Sequence, residues 1–289
     1  MLCAVSSSAR LQQQKKTNPV TLAPPTASPA PTPALKRSTT RHETRHLGYG
    51  GTLTVYGAPE GAINIEGWTQ NEFALDADTE LRADTEEDLA RLATLNSFLL
   101  DDDFNHIRLI TTGTHDRAFM KRVAKDFPKR LLGLPWRLDY RVRTPASTDL
   151  EIYAGRGALS ISGVEGSLRL NAGESDAKLV FTGGDTEATI QRGTLLVRLA
   201  QRNWRGRGAN FRLGTGDLTV ELPPGYNGDI DAEVLRTGRI DNSYAALVPR
   251  ERTHPSERSL QARAGTGGVL LSFTLGDGTL RIKQSGGTR

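Results

Sequence analysis

The chain has 289 residues, 30 of them glycine, with 6% aromatic residues, a single cysteine and a formal net charge of +4. That length holds one or two domains with real cores, and a lone Cys3 excludes a disulfide framework or a cysteine-ligated metal. No run of 18 apolar residues occurs, which excludes a membrane-spanning helix within the sequence.

Charge is laid down in blocks. Residues 48–114 hold three basic and thirteen acidic side chains, whereas 192–212 hold six arginines and no acid. A general nucleic-acid binder shows one dominant basic face, so nucleic acid is not an expected partner.

In chain order, the first residues, MLCAVSSSAR, lack an apolar h-region. Their small residues before Arg10 look like the tail of a signal peptide, which predicts a start further upstream and export to the cell envelope or periplasm. The alternative is a cytoplasmic chain with a disordered tail. Cys3 lies too near Met1 to carry a lipid. Residues 1–47, rich in proline, alanine and threonine, are expected to form a disordered linker. His42 and His46 are read as solvated tail residues rather than metal ligands. A folded domain is expected over 48–289.

Gly51-Thr52-Leu53-Thr54-Val55 and Gly61-Ala62-Ile63-Asn64-Ile65 alternate as strands, the second ending on Trp68, and Glu72–Ala77 continues the pattern. Thr85 with Asp88 marks a helix start, and a stripe of Leu89, Leu92, Ala93, Asn96, Leu99 and Leu100 predicts a helix across it. Asp101-Asp102-Asp103 lacks the spaced ligands and glycine of a calcium loop and reads as a solvated loop. His106–Ile110 is the next strand. The segment 115–135 predicts a basic amphipathic helix carrying Phe119, Met120, Val123, Ala124 and Phe127. It is expected to cover an open sheet edge, the alternative being contact with an anionic membrane surface. Trp136–Arg143 alternates again.

From about Ala146 to Asn242, Gly-x-Leu-x-Ile phrases recur, at Gly157, Gly193 and Gly216, with Gly238-x-Ile240 a shorter relative. Gly193 to Gly216 is 23 residues, Gly216 to Gly238 is 22, and Gly157 to Gly193 is 36, which leaves room for a turn near 177–181. A period near 20 residues marks a repeat architecture whose units share one core. The inward set is Leu159, Ile161, Leu168, Leu170, Leu179, Phe181, Leu195, Val197, Leu199, Phe211, Leu213, Leu218, Val220, Leu222, Ile230, Val234 and Ile240, with glycines at the corners. The expected fold is all-β: a parallel β-solenoid or β-helix-like stack of short glycine-bounded strands with one or two short covering helices. An antiparallel sandwich is the competing reading. Residues 249–264 read as a polar linker, and Asp277-Gly278 as a hairpin turn.

The most distinctive exposed feature is arginine-rich. Arg198, Arg202, Trp204, Arg205, Arg207 and Arg212 are candidate contacts for a polyanion, with the tryptophan available for stacking. No catalytic triad, zinc cluster or phosphate loop is present, so no cofactor is expected. Asp217, Glu221, Asp229, Asp231 and Glu233 could line neighbouring rungs, as the acids of a polysaccharide-active β-helix enzyme would.

The segments 61–68, Pro145–Gly163, Gly216–Pro223 and Gly276–Ile282 together resemble the bacterial adhesin-like family of domains of unknown function, akin to the auto-transporter adhesin head (GIN) domains. The likeness spans about Gly50 to Lys283. It implies a β-solenoid-like head in the cell envelope, usually exported, with no catalytic residues and with 115–135 as an insertion. The partner expected from this is a cell-surface glycan or another envelope protein.

Overall fold

The computed structural model describes residues 33–123 and 126–286. The linker expected over 1–32 lies outside the described residues. The strands are β1 (Leu35–His46), β2 (Thr52–Tyr56), β3 (Ile63–Trp68), β4 (Glu72–Ala83), β5 (Ser97–Asp103), β6 (His106–Thr112), β7 (Trp136–Pro145), β8 (Asp149–Ser162), β9 (Leu168–Phe181), β10 (Gly183–Leu199), β11 (Arg205–Leu222), β12 (Gly228–Asn242), β13 (Leu247–Pro249), β14 (Ser259–Ala264) and β15 (Leu270–Gln284). Two short helices, α1 (Glu86–Ala93) and α2 (Arg117–Val123), complete it. All fifteen strands join one mixed sheet, whose main path runs β1-β4-β7-β3-β8-β9-β10-β11-β15-β12-β14-β13, with β2, β6 and β5 branching from β8.

The long strands are bent, and chain length alone requires it. From Leu150 to Ser162 a straight strand would run about 40 Å. The six steps from Ser162 to Leu168 reach at most about 21 Å, yet Leu168 pairs beside Leu150 in parallel register. So β8 folds back on itself partway along. The bend falls at Gly157, and its register partners on the following rungs are Ser175, Gly193, Gly216, Gly278 and Gly238. At Gly216, φ is +137° and an added Cβ would sit 1.8 Å from the carbonyl oxygen of Gly193. Both the conformation and the closeness require glycine. Leu150, Leu168, Thr186 and Ala209 follow one another across the sheet, at steps of 18, 18 and 23 residues.

Strict alternation on each limb sends apolar residues inward. Every member of the inward set is buried except Ile240, which packs partly buried against the core. Phe181, Phe211 and Phe273 form a column through that core, with ring centroids 6.2 Å and then 5.2 Å apart. A smaller cluster of Leu81, Ala83, Leu89, Leu92 and Leu131 lies under α1.

Several expectations are corrected. The stack is not wholly parallel: β1, β4 and β7 pair antiparallel at one end, β12, β14 and β13 at the other, and β15 lies between β11 and β12. Residues 35–46, expected as linker, are β1, an edge strand whose charged and polar side chains suit an exposed edge. Residues 259–264, also expected as linker, are β14. Asp277-Gly278 is no hairpin but the corner of β15, where Asp277 accepts from the Thr237 backbone N–H and from Arg236. α1 starts as predicted, Thr85 Oγ1 accepting from the Asp88 N–H at 3.2 Å, but ends at Ala93. Leu99 and Leu100 belong to β5, and Asp101–Asp103 end that strand rather than forming a loop. The basic segment is not one helix: α2 spans seven residues and a single 3-10 turn follows at Lys129–Leu131. Ala124 lies outside the described residues.

The second core is pinned by charge. Arg130 grips the buried Asp88 carboxylate with two hydrogen bonds of 2.5 and 2.7 Å, which holds the Asp88 carboxyl below its usual range. Arg236 lowers Asp277 in the same way.

Two predictions follow from these contacts. Gly216→Ala lowers stability by about 3 kcal/mol or more, read as the urea midpoint, whereas Gly133→Ala, where an added Cβ meets nothing within 4 Å, stays within about 0.5 kcal/mol. A pair of equal losses would show that the corner is not constrained. The carboxylates with depressed folded pKa values bind fewer protons folded than unfolded above their folded values. Their contribution is therefore complete above about pH 4 and is lost as pH falls further. The melting temperature drops on acidification, and Asp88→Asn, less stable at pH 7, shows a smaller drop.

Candidate functional site

The arginine stretch resolves into paired and unpaired residues. Arg198 Nε lies 2.5 Å from Glu221, which Lys283 also approaches at 3.3 Å. Burial pushes Glu221 up, but those two cations outweigh it and leave its carboxyl below the usual range. Arg207 pairs with Asp185 at 2.5 Å, and Arg212 with Glu187 at 3.0 Å. These are neighbours across adjacent rungs, so each arginine repairs the charge of the strand beside it. Trp204 is only 8% exposed. Its indole N–H donates to the Gly184 carbonyl at 3.0 Å, and its ring meets Phe181 edge-on. It is a core residue, closed to stacking by a ligand. Arg202 and Arg205 stand exposed, and among the described residues neither has a carboxylate partner within ion-pair distance.

Four of the five outward acids are spent in the same manner, while Glu233 stands exposed with no cation within ion-pair distance among the described residues. Asp217 pairs with Arg281, Asp229 with Arg263 and Asp231 with Arg250. Glu221 is held as described. These carboxylates are shared out one per cation rather than gathered into one acidic centre.

A concavity lies elsewhere. A cleft of about 570 Å³ opens where Thr114, His115, Leu132, Leu134, Pro135 and Trp136 meet residues beside the corners of β8, β9 and β10. Trp136, His115, Leu132 and Leu134 make one wall. The other side is built by one position repeated on successive rungs: Gly155 then Gly173 then Gln191, with Arg156, Glu174 and Arg192 next along. Arg156, Glu174 and Arg192 are register partners across these strands, and Arg156 Nε lies 3.1 Å from Glu174. Glu60 joins them through a backbone bridge to Arg156. The imidazole of His115 sits 5.5 Å from the Trp136 ring, and partial burial there lowers its pKa, against the opposing pull of Asp116. It is therefore neutral at physiological pH, able to donate and to accept.

Just outside the cleft the sheet carries an aromatic pair. Tyr56 on β2 and Tyr153 on β8 are direct register partners, 43% and 37% exposed, with rings parallel and 5.0 Å apart. The Tyr153 hydroxyl donates to Glu151 at 2.8 Å. Asn171 and Thr189 extend that row over β9 and β10. Tyr153 is two residues from Gly155, about 7 Å along the strand, so row and cleft form one surface.

Reading the sequence missed this site, though a signal was present. Ala154-Gly155-Arg156-Gly157, Ala172-Gly173-Glu174-Ser175 and Ile190-Gln191-Arg192-Gly193 repeat at intervals of 18 residues. Each places a small or polar residue and then a charge before the corner. The wall residues carry no such mark, because they reach the cleft only through tertiary packing.

No protein-family model matches the chain, and no curated protein matches it. Among solved structures, a candidate cell adhesion protein from Clostridium sporogenes is 13% identical with a TM-score of 0.44, over 86% of this chain and 100% of that one. A candidate adhesin from Bacteroides fragilis is 12% identical with a TM-score of 0.32, over 89% and 100%. A candidate adhesin from Parabacteroides merdae is 8% identical with a TM-score of 0.23, over 86% and 96%.

Proposed function

We propose that this chain is a non-enzymatic binding head of the bacterial cell envelope, adhesin-like and exported, built as a short β-solenoid with closing strands at both ends. The observation that carries the reading is the cleft under the 114–136 segment. It is a concave surface with aromatic, apolar and hydrogen-bonding groups converging on it, which is the form that binding sites take. The bent parallel rungs support the solenoid reading. The cross-strand pairing of outward acids with arginines supports a binding role over a polysaccharide lyase, whose chemistry needs acid and base converging on one substrate bond. The segment ahead of β1 would act as a spacer that holds the head away from a surface.

The alternative is polyanion binding through Arg202 and Arg205, two exposed arginines that lack a carboxylate partner among the described residues.

Fractionation of the source cells is expected to recover the protein with the envelope or the medium, and recovery in cytosol alone sinks the proposal. Labelled protein is expected to bind isolated envelopes. Gly173→Leu, which raises a side chain from the cleft floor, lowers that binding at least tenfold, while the double variant Arg202→Ala, Arg205→Ala leaves it unchanged. The reverse pattern would move the site to the arginine loop.

A further inference from the structure

Resting on the reading of the cleft as the binding site, we propose that its ligand is a neutral linear saccharide chain, lying across the rungs from Trp136 toward Tyr153 and Tyr56. Three features of the surface fit that chemistry together. The first is aromatic. Trp136 is partly buried and reaches both cores while lining the cleft, so it offers a rigid apolar face to the C–H face of a sugar ring at small entropic cost. The second is the bare floor. At Gly155 and Gly173 no side chain stands between the ligand and the sheet, so a ring can lie close to the backbone.

The third is charge. Glu60 and Glu174 face Arg156 and Arg192 in equal number, and His115 is uncharged at neutral pH. An acidic polymer would meet two carboxylates for two guanidinium groups and gain no net attraction. Hydroxyl groups, which both donate and accept, can use Glu60, Gln191, Arg192 and His115 alike. The repeat also matches in scale. Successive rungs lie about 4.8 Å apart, close to the length of one pyranose unit along a chain. The row Tyr56, Tyr153, Asn171, Thr189 is spaced at that same interval, so a chain lying across the strands meets a hydrogen-bonding side chain at each step.

The test uses the full chain and defined oligosaccharides. Hexamers of β-1,4-glucose, β-1,3-glucose, β-1,4-N-acetylglucosamine and α-mannose are titrated calorimetrically and by tryptophan emission, beside oligogalacturonate and single-stranded DNA. At least one neutral hexamer is expected to bind, its dimer at least tenfold more weakly. Gln191→Ala and Gly173→Leu each lower the affinity at least fivefold. Trp136→Phe removes the emission change while the far-ultraviolet circular dichroism is retained. Silence from all neutral hexamers, preference for oligogalacturonate or DNA, or indifference to Gln191→Ala and Gly173→Leu overturns the proposal. The outcomes separate from those of the envelope assay. If Gly173→Leu abolishes envelope binding and no neutral hexamer binds, the cleft is the site but its ligand is not a neutral saccharide. If a neutral hexamer binds and fractionation places the protein in cytosol, the saccharide assignment stands and the envelope reading falls.

Discussion

One close approach governs the architecture: at the glycine corners, the carbonyl oxygen of one rung occupies the space where a Cβ on the next would be. It lies 2.2 Å from the Cβ position at Gly193 and 1.8 Å at Gly216, Gly278 and Gly238. A contact that tight admits one register. In a sheet with a single buried face, a slip of one residue exchanges the faces of a whole strand. Here each bent strand has two limbs, both carrying an inward ladder, so a slip would expose Leu195 and Val197 on one limb and Ala188 and Ile190 on the other at once. At roughly 1.5–3 kcal/mol for each large side chain, that penalty far exceeds what the surface ion pairs contribute. The ion pairs follow the register and do not set it.

The same corners create the cleft. On the first two rungs the position just before the corner carries no side chain, at Gly155 and Gly173, whereas Gln191 occupies it on the third. Gly155 is confined by the carbonyls of Ala58 and Pro59, and Gly173 by that of Gly155. A row of missing side chains along the corner edge is a trough by construction. The 114–136 segment then lays Trp136 and Leu134 beside it. Cleft and fold constraint are thus one feature seen from two sides, with backbone at Gly155 and Gly173 supplying the floor and Trp136 and Leu134 part of the wall.

Much of this could be read in the sequence, and where it could not the reasons are physical. The inward ladder was legible because alternation is a local signal. The 36-residue gap between Gly157 and Gly193 concealed two rungs of 18, because Ser175 holds the intervening corner. Ser175 does so without a positive φ, so no glycine marks the place. Asp277-Gly278 has the composition of a hairpin turn, yet the rungs on either side, β11 and β12, both run parallel to β15, and the pair becomes a corner in register with Gly216 and Gly238. The leucine stripe over 89–100 joined two elements, because Leu99 and Leu100 continue a helical spacing by coincidence. There the strand pairing with β6 decides the outcome, not local propensity. Edge strand β1 looked like linker because an edge needs little apolar surface. The cleft was least legible of all, since its two sides come from segments far apart in sequence.

The wall of the cleft depends on the smaller core. Trp136 packs against both clusters, and Leu131 lies inside the second. The link between them and α1 is the grip of Arg130 on Asp88, whose carboxylate is buried at the N-terminal turn of the helix. Trp136 is thus held from two sides, by the large core and by a smaller cluster that one ion pair ties to α1. Removing Arg130, which is itself exposed, leaves the buried Asp88 charge uncompensated. Protonating Asp88 has a milder form of the same effect, since it weakens both hydrogen bonds without removing the carboxyl group. The wall therefore loosens in acid before the stacked rungs do, because the rungs are held by apolar burial and backbone hydrogen bonds that do not titrate. A fold built this way keeps its stacked strands over a wide pH range while the wall of the cleft remains sensitive to pH, and the sensitivity enters through a residue that does not line the cleft.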